Sequence, residues 1–252
     1  VASRGLGDVY KRQPLTIYIP TYKRESVVQC VESIVNQFTN DIELIISDND
    51  QDAFAGDLLY PYKEYITEYS VRKQNIGCDG NCLHGLTSGT GEYVWVLGDD
   101  DVLLPGAIAT LLPMLNGVDR IMQYTPYSGE LKPGFSGTMV ELINSLNDKS
   151  YVIAATLASM NIWKRDVMDF KIGTKHLDSR NVLAWSGINC KTVSIPNVPT
   201  VLVNDTNHFE FKDFDNVMFE YCDALSGIDG VEKFTFHNAN KWNFVSASME
   251  KK

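Results

Sequence analysis

The chain has 252 residues, 44% of them hydrophobic, a length that an α/β fold fills as one unit and a composition ordinary for a globular protein. No apolar run approaches the ~18 residues of a membrane span. Acidic residues outnumber basic ones 32 to 22, for a net charge of −10; this argues against a broad surface for a nucleic-acid backbone and leaves any anionic ligand to a metal ion, backbone N–H groups or a few Lys and Arg side chains.

Residues 1–13, VASRGLGDVYKRQ, lack an apolar h-region and any periodicity, and read as a non-native leader outside the fold. PLTIYIP, Pro14 to Pro20, is a short β-prone run closed by proline and is predicted as a buried first strand. In TYKRESVVQCVESIVNQF, Val27, Val31, Ile34, Val35 and Phe38 fall on one helical stripe behind Ser26 as N-cap. A second strand, Glu43 to Ser47, ends in Asp48, Asn49 and Asp50, and the strand, helix, strand order implies a parallel sheet. A Tyr-rich amphipathic segment from Leu58 to Tyr69 follows, then a short strand and turn in EYSVRKQNIG, a helix in DGNCLHGLTSG, and a buried strand from Tyr93 to Leu97.

The second half opens with a helix in LPGAIATLLPML and a strand from Arg120 to Tyr124. Residues Thr125 to Thr138 are rich in Gly, Pro and Ser and read as a flexible loop suited to an acceptor. A helix from Met139 to Leu146, a strand in MNIWKR, a helix in HLDSRNVLAWSG, strands in CKTVSIP and TVLVN, and an amphipathic helix in FKDFDNVMFEYCDAL complete the pattern; Gly227 to Lys252 reads as a polar tail. The five cysteines are an odd number in a chain large enough to build its own core, so no disulfide framework is implied and a reducing cytoplasm fits. Cys78, Cys82 and His84 form no recognised zinc spacing.

The stretch EYVWVLGDDDVLLPG places Asp99, Asp100 and Asp101 at the mouth of a buried strand, with no basic residue near them in sequence. In open parallel sheets ligands bind beyond the carboxyl ends of the strands, and polar clusters stand there three times: Thr21 to Arg24, Asp48 to Asp50, and Asp99 to Asp101. Adjacent carboxylates repel unless a proton or a cation intervenes, and hard oxygen donors select Mg2+, Mn2+ or Ca2+. The triplet therefore reads as the holder of a divalent ion that bridges protein carboxylates to a diphosphate. The bland alternative is an acidic loop that caps the next helix.

The segments TIYIPTYKRESVVQCVESIVNQ, ELIISDNDQD and RKQNIGCDGNCLHGLTSGTGEYVWVLGDDDVLLPGAI, in this order over about residues 14–115, resemble the family 2 nucleotide-sugar glycosyltransferases of GT-A fold. The resemblance implies an α/β, Rossmann-like three-layer sandwich with a mostly parallel central sheet. It also implies a single domain over 14–226, in which 14–115 form the nucleotide-sugar half and 116–226 the acceptor half. Carried over by position, it implies donor contacts from Thr21, Tyr22, Arg24, Asp48 (for the base), Asn49, Arg72, Asn75, Gly77, Asn81 and Asp99. Asp99 and Asp100 match the D-x-D-type metal element, with Asp101 in support. Lys23 stands where the family often has Asn, and Gly98 where many relatives carry another Asp.

The same resemblance implies inverting transfer from a nucleoside diphosphate sugar to a glycan or lipid-linked acceptor hydroxyl. Mn2+ or Mg2+ would serve as cofactor, in cytoplasmic polysaccharide or glycoconjugate synthesis with peripheral membrane association allowed. The Glu-Asp pair that supplies the family's usual base is missing from GTKHLDSRNVLAWSG; His176 and Asp178 stand near its place, and either could take the proton. Trp163 and Trp185 could line an acceptor site but suit a core better. Two other readings stay open: a phosphotransferase like the haloacid dehalogenase group, built on Asp99-x-Asp101, and a sugar-nucleotide binder without turnover. No G-x-G-x-x-G follows the first strand, and GLTSGTGE lacks the Lys-Ser/Thr of a P-loop, which sets aside a dinucleotide oxidoreductase and a P-loop enzyme.

Overall fold

The computed structural model describes residues 13–123, 131–146, 157–177, 181–203 and 214–232, the side chains of 214–219 apart. Residues 1–12 of the expected leader, Asp178, His208, His237 and the tail from 233 onward lie outside the described residues.

An eight-stranded sheet forms the centre, in the order β3-β2-β1-β4-β8-β6-β9-β7. The strands are β1 (Leu15–Thr21), β2 (Ile42–Asp48), β3 (Glu68–Val71), β4 (Tyr93–Val96), β6 (Arg120–Met122), β7 (Ser136–Thr138), β8 (Asn161–Lys164) and β9 (Thr192–Ser194). β1 pairs in parallel with β2 and β4, β2 with β3, and β6 with β9; β8 runs antiparallel between β4 and β6, and β7 is antiparallel to β9. A second, two-stranded antiparallel ribbon joins β5 (Val102–Leu103) to β10 (Val201–Leu202).

The central strands read as unbroken apolar runs because both of their faces are covered. On one face Leu15, Ile17 and Ile19 of β1 meet Val27, Val31 and Ile34 of helix α1 (Val27–Val35), together with Ala55 and Leu59 of α2 (Phe54–Leu59) and Ile108 and Leu111 of α4 (Ala107–Leu111). On the other face Tyr18 of β1 and Val94 and Val96 of β4 meet Leu83 of α3 (Gly77–Gly85) and Leu142 of α5 (Met139–Ser145). Val182 and Leu183 of α7 (Val182–Ser186) and Tyr221 of α8 (Phe214–Ser226) complete that second layer. Each buried Leu, Ile or Val contributes roughly 1.5–3 kcal/mol relative to exposure, so the two cores on either side fix the register of the strands between them.

Several local expectations need correction. Ser26 does not cap α1 through its side chain: its own backbone already has helical angles (φ −56°, ψ −25°), and its carbonyl simply accepts from the Cys30 N–H at 3.1 Å. The expected helix from Leu104 stops at Leu111 and tightens to a 3-10 turn over Leu112–Leu115, because Pro113 has no N–H to continue the ladder. Val102 and Leu103 form a strand that no alternation announced, since it is only two residues long. Part of the loop expected over 125–138 is the edge strand β7, which leads into α5 through a capping box between Thr138 and Glu141. Of the helix expected across 176–187 the described part is α7 alone, and a separate helix that was not expected, α6 (Phe170–Thr174), capped by the Asp169 carboxylate, precedes it. Where the polar tail begins, Val231 is buried and Asn144 of α5 bonds the Gly230 carbonyl and the Glu232 N–H.

A buried polar staple closes the amino end of the sheet. Glu43 of β2 accepts from the Thr16 hydroxyl at 2.7 Å and the Thr90 N–H at 2.7 Å, while Arg165, beyond β8, donates to the Gly91 carbonyl at 2.9 Å and to Thr16 at 3.2 Å. Gly91 is needed here, because a Cβ would stand 2.5 Å from the Thr16 backbone nitrogen. Gly91→Ala is expected to destabilise the fold by about 1–3 kcal/mol, read as a lower denaturation midpoint in urea at unchanged slope; an unchanged midpoint would show that the strands can part at this point without loss.

Candidate functional site

The three polar clusters meet at the opposite, carboxyl end of the sheet. Thr21 ends β1 and pairs in register with Asp48, the last residue of β2, and β1 also neighbours β4, whose continuation carries the aspartates. The Thr21 hydroxyl donates to Asp99 Oδ2 at 2.7 Å. Arg24, from the loop after β1, places the same nitrogen, Nη1, 3.0 Å from Asp99 Oδ1 and 3.0 Å from Asp100 Oδ2. The triplet that lacks basic neighbours in sequence thus has one in space, brought from 75 residues away by the pairing of β1 with β4.

The surrounding contacts set each carboxylate apart. Asp99 is 5% exposed, and burial, the largest influence on it, outweighs the Thr21 hydroxyl and the Arg24 guanidinium and pushes its carboxyl above the usual range. Asp100 is partly exposed beside Arg24. Asp101 is buried, and its Oδ2 lies where a Cβ on residue 98 would come within 2.7 Å, so the missing side chain of Gly98 is what makes room for it. The Gly98 N–H donates to the Ser159 hydroxyl at 2.8 Å and its carbonyl accepts from the Cys30 thiol at 3.4 Å, which holds the turn from both layers.

Asp48 serves the chain around it. Wholly buried, it accepts from the Asp50 N–H at 2.9 Å, the Ala55 N–H at 3.0 Å and the Tyr69 hydroxyl at 2.8 Å, and so shapes the loop after β2. Asn49 donates to the Gly77 carbonyl at 3.0 Å, and Asn75 accepts from the Gly77 N–H at 2.8 Å; the two asparagines fold the exposed entry of α3 toward β2. Tyr22 is 45% exposed, and Lys23, at φ 53°, reaches Asp50 at 3.5 Å.

Asn81 and Arg72 belong to a second network beside the first. Asn81 Oδ1 accepts from Tyr18 at 2.8 Å and from Ser47 at 2.7 Å, and Arg72 Nε donates to Ser47 at 2.9 Å. The Arg72 guanidinium lies against the His84 ring, with Nη2 2.8 Å from Nδ1 and Nη1 3.1 Å from Nε2, and Ser88 is 2.7 Å from Nδ1. Burial first, and Arg72 second, hold His84 below its ordinary value; Glu68 on β3 acts in the other direction.

His176 is not joined to the aspartate cluster by any contact among the described residues. It follows α6 and stacks flat on Trp185, ring centroids 3.8 Å apart and planes 2° from parallel, while Trp185 in turn meets Tyr221 edge-on. Partial burial lowers its basicity. Trp163 is wholly buried, with the Arg120 guanidinium 4.2 Å above its ring. Tyr18, Ser47, Tyr69, His84 and Ser159 were not anticipated as part of the site. A hydroxyl in the middle of LTIYIP and at the end of ELIIS was a usable signal for Tyr18 and Ser47; nothing in the weakly patterned second half marks Ser159.

Among the described residues no group of three or more His, Cys, Asp or Glu side chains is arranged to hold a metal ion. Two carboxylate oxygens nevertheless converge on one cationic nitrogen, and one or two carboxylates completed by substrate phosphates suffice for a magnesium-class ion. The Asp99–Asp100 pair therefore fits such an ion.

A family model described as glycosyl transferase family 2 matches residues 16–162, more than half of the chain. The chain belongs to this family. Among curated relatives it is similar to a GalNAc(5)-diNAcBac-PP-undecaprenol beta-1,3-glucosyltransferase of Campylobacter jejuni, 26% identical over 179 residues that cover 68% of this chain and 58% of that protein. It is also similar to an abequosyltransferase of Salmonella typhimurium, 32% identical over 108 residues that cover 40% of this chain and 32% of that protein. The chain thus spans little more than half of the first relative and a third of the second. Among solved structures, S. aureus TarS 1–349 in complex with UDP-GlcNAc superposes with a TM-score of 0.62 at 14% identity, over 93% of this chain and 71% of that one. Glucosyl-3-phosphoglycerate synthase from Mycobacterium tuberculosis gives 0.53 at 14% identity, over 85% and 81%. The α/β fold of this family 2 protein is of GT-A type, as expected. Family membership also removes the haloacid dehalogenase reading.

His84 supplies a test of the second network. Its lowered folded-state value means that the unfolded chain binds the extra proton first, so stability is complete above the ordinary value of 6.5 and is lost as pH falls below it. The melting temperature is expected to fall between about pH 7.5 and about pH 5.5, and to fall less steeply in His84→Gln; parallel slopes in the two proteins would show that folding does not lower the basicity of His84.

Proposed function

We propose that this family 2 protein moves a sugar from a nucleoside diphosphate sugar to an acceptor hydroxyl, with inversion at the anomeric carbon and with Mn2+ or Mg2+ as cofactor. The observation that carries the reading is the convergence of Thr21, Arg24, Asp99 and Asp100 at the carboxyl ends of β1 and β4, where open parallel sheets bind ligands. Burial leaves Asp99 incompletely compensated by its hydroxyl and guanidinium partners, so additional positive charge is favourable there. A bound divalent ion would supply Lewis-acid stabilisation of the departing diphosphate.

The remaining roles fall to this chain's own groups. Thr21 fixes the rotamer of Asp99, and Arg24 presents a positive charge at the mouth of the site. Asp48 and Asn49, with Asn75, Gly77 and Asn81, shape the pocket for the nucleotide, while Arg72 adds a second cationic group at its side. Tyr22, exposed beside them, offers a face on which a ring can stack. For the acceptor proton the reading keeps both His176, whose basicity partial burial lowers, and Asp178.

The relatives' names suggest glycan or lipid-linked acceptors and UDP-sugar donors for this chain. No described helix is long and apolar enough to cross a membrane. A sugar-nucleotide binder without turnover is the reading to exclude, and cytoplasmic synthesis of a polysaccharide or glycoconjugate is the setting proposed.

A thermal-shift screen of UDP-sugars with and without Mn2+ tests this reading: the matching donor should raise the melting temperature only with the metal, and Asp100→Ala should abolish the rise. Transfer activity should fall by about a hundredfold or more in the same variant. Equal shifts and equal turnover in Asp100→Ala would end the proposal, and binding without any transfer would favour the binder.

A further inference from the structure

We infer that Arg24 is a built-in counter-ion that occupies the cation position of the Asp99–Asp100 pair and competes with the divalent ion for it. The inference rests on the metal-dependent reading above and goes beyond it by assigning the protein two exchangeable states.

The geometry is specific. A guanidinium has five N–H donors in a rigid fork and commonly grips one carboxylate with two nitrogens. Arg24 does something different: one nitrogen, Nη1, lies 3.0 Å from an oxygen of each of two adjacent aspartates. A single positive atom between two carboxylate oxygens is the arrangement a small cation would adopt. The arginine also differs from the residues around it in freedom. Asp99 is buried and locked by Thr21, whereas the Arg24 side chain is 33% exposed and springs from the loop after β1, beside an exposed Tyr22 and the left-handed Lys23. Asp99 is fixed, and the guanidinium, on an exposed loop, is the part that can leave.

Exchange follows from charge. With no ligand present, the net charge of −10 and the crowded aspartates favour any nearby positive group, and Arg24 supplies it within the chain. A divalent ion brings twice that charge to the same oxygens but must displace the guanidinium, so the ion alone is held weakly. A nucleoside diphosphate changes the balance, because the released guanidinium then has a new anionic partner. Ion and diphosphate should consequently bind with positive coupling, each raising the affinity for the other by the same factor, and part of that coupling should run through Arg24.

The test counts free Mn2+ by room-temperature electron paramagnetic resonance in titrations of the wild-type chain, Arg24→Gln, Arg24→Lys and Asp100→Asn, each without and with UDP. Arg24→Gln should bind Mn2+ alone about fivefold or more tighter than wild type, since the competitor has lost its charge. The same variant should show a smaller gain in Mn2+ affinity on adding UDP. Arg24→Lys, which keeps the charge, should stay close to wild type in both respects and guards against a general effect of altering the loop. Equal or weaker Mn2+ binding by Arg24→Gln, with binding still lost in Asp100→Asn, would overturn the exchange while leaving the metal site intact. Absence of Mn2+ binding in every protein, even with UDP, would overturn both the exchange and the metal-dependent reading.

Discussion

Carboxylates crowded at the ends of buried strands need positive charge within a few ångströms, and the arrangement of this molecule follows from that need. Strand β4 is apolar on both faces and delivers Asp99 to a place where water is scarce. Two charges 3–4 Å apart interact by only about 1 kcal/mol in bulk water but by several times more near a protein surface. A solvated acidic loop would tolerate its own repulsion; this one is pinned by Thr21, Ser159 and Cys30 and cannot splay outward to relieve it. The strain is answered by Arg24 from the neighbouring strand end, and its answer makes the same place attractive to a small cation.

The sheet divides its labour between two ends. At the amino end Glu43, Thr16, Gly91 and Arg165 interlock through buried and half-buried hydrogen bonds. At the carboxyl end the loops after β1, β2 and β4 carry polar side chains, some saturated by their neighbours and some facing outward. Asp48 illustrates the first kind, since three donors fix its two oxygens and thereby fix the loop after β2. Arg24 and Tyr22 illustrate the second.

Much of this was legible in the amino-acid order for a physical reason. Leu15 to Ile19, Leu44 to Ile46 and Tyr93 to Leu97 are buried on both faces, so their patterns are strong, local and independent of what packs on them. The polar residues that end each run share one side because parallel strands share a direction. What could not be read were pairings decided by distant partners. Arg24 is separated by 75 residues from the carboxylate it neutralises, and a two-residue strand such as Val102–Leu103 exists only because Val201–Leu202 lies opposite it. The late start of α7 at Val182 was hidden for a similar reason: His176 belongs to neither α6 nor α7 and is placed by an aromatic stack on Trp185, not by periodicity.

Gly98 carries an implication for how such a motif can change over time. The carboxylate of Asp101 fills the space that a side chain at 98 would take, with Asp100 Oδ1 and Ser159 Oγ also within 3.3 Å of that point. The two positions therefore share one space, and a side chain gained at 98 requires the Asp101 carboxylate to turn away from where it now lies. Crowding at this corner couples the fate of one residue to that of another three places along the chain.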